Sequence, residues 1–97
     1  MKTIRLDPYA GAPRVWEYMR KHLPDTMAAK AWEGYGVHYY ISAQNEEIAS
    51  VRSPIFIWNR ETVELKHPQY FEDISRMIEA YEKESGKEVN FTFWQAS

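Results

Sequence analysis

The chain has 97 residues, a hydrophobic fraction of 44%, a charged fraction of 27% and a formal net charge of -2, which fits one globular domain with a single modest core and excludes long disordered or low-complexity segments. It has no cysteine, so disulfides, thiolate metal sites and cysteine nucleophiles are excluded together. No apolar run approaches the length of about 18 residues that spans a bilayer, the N-terminus lacks the apolar core of a signal peptide, and a cytoplasmic location is expected.

In chain order, "KTIRLD" alternates, with Ile4 and Leu6 on one face, and predicts a short half-buried strand. "DPYAGAP" breaks it, and Pro13 suits a first helical position. A helix is predicted from Pro13 to His22, with Val15, Trp16, Met19 and Leu23 on one side, ended by Pro24. Asp25 or Thr26 then caps a second short helix through "MAAKAW", which Gly34 stops.

Residues 36–51 support two readings. As a helix, Val37, Ile41, Gln44, Ile48 and Val51 share a face; as a hairpin, Val37, Tyr39 and Ile41 alternate and "QNEE" turns the chain. The density of β-branched and aromatic residues tips the reading towards the hairpin.

"PIFIW", residues 54–58, is a continuous apolar run that predicts a central strand buried on both faces. "NRET" turns, and "VELK" is either a short strand or the start of a helix. Pro68 opens a long amphipathic helix with Tyr70, Ile74, Met77, Ile78 and Tyr81 in one stripe, and Gly86 ends it. "VNFTFW" closes with Val89, Phe91 and Phe93 on one face. Strand, helix and strand in succession predict a right-handed βαβ unit in which "PIFIW" and "VNFTFW" pair in parallel. The expected architecture is a single α/β or α+β domain over residues 1–97, with a small mixed or parallel sheet of three to five strands covered by two main helices.

The chemistry-bearing residues form no catalytic pattern. His22, His38 and His67 are too far apart in sequence for the close pairing of a metal site. Neither a phosphate-binding glycine loop nor a GxSxG serine motif occurs. No cofactor or metal is expected, and enzymatic activity has no positive support. What stands out is "WEGYGVHYY", where Trp32, Tyr35, Tyr39 and Tyr40 crowd beside His38, with Glu46 and Glu47 soon after. Tyrosine and tryptophan offer large apolar area at low entropic cost, as binding hot spots require. Trp16 and Trp58 fit core positions, whereas Trp94 points opposite Phe91 and Phe93. Charge is uneven: residues 1–24 carry a net +3 and residues 25–50 a net -3. No segment forms the basic stripe that nucleic acid attracts, and the acidic middle of the chain suits a basic protein partner.

The run "SPIFIWNRETVELKHPQYFEDISRMIEAYEKESGKEVNFTF" resembles the closing strand, helix and strand of the barstar family of ribonuclease inhibitors, and "KTIRLD" with a helix ending in "HLP" resembles its opening. Tyr35 and Gly36 match the aromatic-glycine pair that precedes that family's inhibitory helix, while "VHYYISAQNEE" replaces the asparagine, leucine and aspartate that follow it there. The resemblance implies a barstar-like fold and an inhibitor of another protein.

The expected function is therefore a small module that occludes another protein, like an immunity protein, an antitoxin or a phage-borne inhibitor. Its contact surface would comprise Trp32, Tyr35, Gly36, Tyr39, Tyr40, Glu46 and Glu47. The alternative is a tyrosine-lined ligand pocket or enzyme with His38 as acid or base.

Overall fold

The computed structural model describes residues 11–54 and 60–94. The predicted strand at "KTIRLD", residues 55–58 of "PIFIW" and Trp58 lie outside them. The described elements are α1 (Arg14–His22), β1 (Met27–Glu33), β2 (Val37–Ala43), β3 (Glu46–Arg52), β4 (Glu61–Leu65), α2 (Phe71–Ser85) and β5 (Val89–Phe93). Pro68–Tyr70 form one 3-10 turn ahead of α2. The five strands lie in one open sheet in their sequence order. The first four are an antiparallel meander, and β5 joins β4 in parallel through α2. The class is α+β with a mixed sheet, as the patterning predicts.

Both helices form where the periodicity places them. Val15, Trp16 and Met19 of α1 and Ile74, Met77, Ile78 and Tyr81 of α2 are buried against the strands. Gly86 ends α2 at φ 72°, its N–H donating to the Glu82 carbonyl at 2.9 Å, a left-handed conformation that glycine adopts without steric cost. The start of α1 is capped from a distance: the N–H groups of Arg14 and Val15 donate to the Glu61 carboxylate at 2.7 and 2.9 Å. That carboxylate satisfies two unpaired helix donors and fixes α1 to the first residue of β4.

One element corrects the expectation from the sequence. "MAAKAW" is not a helix but the strand β1, paired along its full length with β2 from Met27↔Ala43 to Glu33↔Val37. Alanine favours helix locally, but a ladder of seven residue pairs outweighs that propensity. β5 pairs in parallel with β4, while residues 55–58 of "PIFIW", the partner expected for it, lie outside the described residues. Val63 and Leu65 of β4 are buried while Thr62 and Glu64 are only partly covered, so Val63–Leu65 of "VELK" belong to a strand with one dry face and Lys66 follows it.

Residues 36–51 form the hairpin. Gln44 and Asn45 join β2 to β3 with φ of 53° and 63°, as a two-residue type I′ turn requires. A bulge follows: Ile41 faces Ala49 whereas Ser42 faces Glu47, so Ile48 is the extra residue. Ile48 and Ala49, adjacent in sequence, are thereby both buried, and Glu47 stands beside Ser42.

Candidate functional site

The sheet has two unlike faces. One is covered by α1 and α2. The other is open and carries Lys30 and Trp32 of β1, His38, Tyr40 and Ser42 of β2 and Glu47 of β3. The register sets these side chains in rows, with Trp32 across from His38, Lys30 across from Tyr40, and Ser42 across from Glu47. Together with Asn45 and Glu46 they line a shallow depression of about 370 Å³.

Its floor is a polar cluster. His38 stacks on Tyr40 with ring centres 5.1 Å apart, and its Nε2–H donates to Glu47 Oε1 at 2.7 Å. An ionised carboxylate only accepts, so this bond requires a proton on Nε2. The second oxygen, Glu47 Oε2, pairs with Lys66 Nζ at 2.5 Å. Lys66 in turn lies 5.6 Å from the centre of the Trp94 ring, a cation–π distance. Partial burial pushes the Glu47 carboxyl pKa up, but the bonds from Lys66 and His38 prevail and hold it below the ordinary carboxylate value. Glu46 is more exposed and lies 3.4 Å from His67 Nε2.

The aromatic stretch divides between the two faces. Trp32 is 63% exposed, and Tyr35 projects fully from the loop between β1 and β2. Tyr40 is half-buried on the open face. Tyr39 belongs to the core: it is 8% exposed and meets Trp16 edge-on, ring centres 5.0 Å apart. Alternation along β2 sends Tyr39 and Tyr40 to opposite faces, and Tyr39 thereby leaves the set of candidate contact residues. Trp16 is fully buried, as its helical position predicts, and Trp94 is half exposed.

Gly34 and Gly36 act differently from the usual turn glycine, since neither has a positive φ. A Cβ at Gly34 would come within 2.3 Å of the Trp32 ring. The missing side chain gives the indole its place over the backbone.

The structure thus brings Trp32, His38, Tyr40, Glu46 and Glu47 around one depression, with Tyr35 and Gly36 at the hairpin tip. It adds four residues that were not among those expected from the sequence: Lys30, Ser42, Asn45 and Lys66. Read as a strand, "MAAKAW" would have put Lys30 two positions from Trp32 and on the same face. Ser42 follows from the same alternation beyond Tyr40, while Lys66 is brought in only by the pairing of β3 with β4. No protein-family model, curated protein or solved structure matches this chain. Among the described residues, no helix is long and apolar enough to cross a membrane, and no group of three or more histidine, aspartate or glutamate side chains is placed to hold a metal ion.

Proposed function

We propose that the protein is a small binding module that inhibits or neutralises another protein by occlusion, acting in the cytoplasm in the manner of an immunity protein, an antitoxin or a phage-borne inhibitor. One observation carries this reading: Trp32 and Tyr35 hold large rings out of the fold at one end of the sheet, 63% and fully exposed. Rings exposed to that degree contribute little to folding, and burial under a partner removes their apolar area from water. Gly36 adjoins Tyr35, Tyr40 and Glu46 line the same depression as Trp32, and the barstar-like order of strand, helix and strand supports the inhibitor class. Glu46 is the acid best exposed to meet a basic partner, because Glu47 is engaged by Lys66 and His38.

A photo-crosslinking phenylalanine analogue placed at Tyr35 tests the reading in cells that produce the protein. One dominant crosslinked protein is expected from this position and none from Glu79, an exposed site on α2. The double substitution Trp32→Ala and Tyr35→Ala should abolish capture without changing the thermal melt, and the captured protein should lose activity when the purified chain is added in equimolar amount. Equal capture from Glu79, or none from Tyr35, sinks the proposal.

A second reading has its own observation, the His38–Glu47 bond at 2.7 Å beside the depression. A histidine oriented by a carboxylate can act as an acid or base towards a small ligand. In that case His38→Gln would abolish turnover or ligand binding while leaving the crosslink at Tyr35 unchanged.

A further inference from the structure

The charged groups around the depression mostly face one another. Both oxygens of Glu47 are occupied, one by His38 Nε2–H and the other by Lys66. Glu46, on the rim, lies against His67. Lys30 is the exception: its ammonium has no ion-pair or side-chain hydrogen-bond partner among the described residues. The hydroxyls of Tyr40 and Ser42 and the Asn45 amide, which line the same depression, are likewise without a side-chain partner there. Lys30 is therefore the cation of the depression that has no carboxylate against it. Its complement is an anion.

The walls narrow the kind of anion. Trp32 is 63% exposed and sits directly across from His38, whose ring lies nearly parallel to Tyr40 at an interplanar angle of 21°. These flat surfaces accept a planar apolar body. A volume of about 370 Å³ suits a small molecule. Phosphate is a poorer match, because its double charge is usually met by an arginine fork, a helix N-terminus or a glycine-rich backbone nest. A lone ammonium with hydroxyl donors, near two carboxylates, matches a singly charged group instead.

We propose that the open-face depression binds a planar aromatic carboxylate, its anionic group held by Lys30 and the Ser42 hydroxyl and its ring against Trp32. The site shares Trp32 and Tyr40 with the proposed contact surface but requires no protein partner, so the two proposals fail independently.

The test is a nuclear magnetic resonance titration of the full chain with sodium benzoate, benzamide and benzamidine, three rings of one shape that are anionic, neutral and cationic. Benzoate is expected to produce saturable shifts at Lys30, Ser42, Tyr40 and the Trp32 indole N–H, and to bind about tenfold or more tightly than benzamide, the scale of a hydrogen bond to a charged group. Benzamidine should leave those signals unmoved. Lys30→Gln, at an exposed strand position, should remove the preference for benzoate with the melting temperature unchanged, and Lys30→Glu should transfer the preference to benzamidine. The proposal is overturned if benzamidine binds as well as benzoate, if Lys30→Gln leaves benzoate affinity intact, or if no saturable shift occurs at these residues. A lost benzoate response with the Tyr35 crosslink preserved overturns the anion site alone.

Discussion

Tyr39 and Tyr40 are neighbours in one strand, yet they have opposite physical surroundings. Tyr39 is 8% exposed and packs on Trp16 under the helices, whereas Tyr40 lies half-buried on the open face beside His38. On the covered face the neighbours are Ile41, Ala43, Val51 and Val63, and burial of apolar area dominates. On the open face the partners are ionic and hydrogen-bonded side chains in partial contact with water, where single interactions contribute little to stability. The same side chain is thus part of the core at one position and available for recognition at the next.

Core truncation should separate the faces most widely. Trp16→Ala is expected to cost about 3–5 kcal/mol, and Tyr39→Ala about 3 kcal/mol, because each leaves a cavity in a packed interior. Tyr40→Ala should cost about 1 kcal/mol or less. Urea unfolding of the three variants measures this directly, and equal losses at Tyr39 and Tyr40 would erase the distinction between the faces.

The next largest effect concerns Glu47, the most constrained polar group of the open face. Its folded-state pKa lies below the unfolded one. The stability it contributes is therefore complete above the ordinary carboxylate range and is lost as pH falls through the folded-state value. Glu47→Gln should cost about 1 kcal/mol at neutral pH, on the scale of a partly solvated ion pair, and should flatten that part of the acid limb. Denaturant unfolding at a series of pH values checks both. An unchanged acid limb in Glu47→Gln would assign the pH dependence to other carboxylates.

The smallest stability change is expected at the hairpin. Gly34→Ala should alter unfolding free energy by about 0.5 kcal/mol or less, as at other exposed positions, yet shift the Trp32 indole resonance, because the new Cβ occupies the space that the ring now fills. An unmoved indole signal would mean that the ring does not depend on the missing side chain.

Much of the fold was legible from periodicity. The helical spacing of Val15, Trp16 and Met19, and of Ile74, Met77, Ile78 and Tyr81, is a property of nearby residues and needs no distant partner to be recognised. The alternation of β2 and the "QNEE" turn were legible for the same reason. The candidate site was visible only in part. Its aromatics and acids stand out in "WEGYGVHYY" and "QNEE", but Lys30 was hidden by the helical reading of "MAAKAW", and Tyr39 could not be assigned to a face until the direction of the core was known.

The amino-acid sequence by itself thus determined the two amphipathic helices, tipped residues 36–51 towards a hairpin and narrowed the class to α/β or α+β, because each follows from spacing within a short segment. Tertiary structure alone decided that β1 is a strand, that β5 pairs with β4, and that Lys66 reaches Glu47. A strand's hydrogen bonds are made to another part of the chain. Its identity, and the side chains its neighbours bring to a site, are fixed only when that other part is in place.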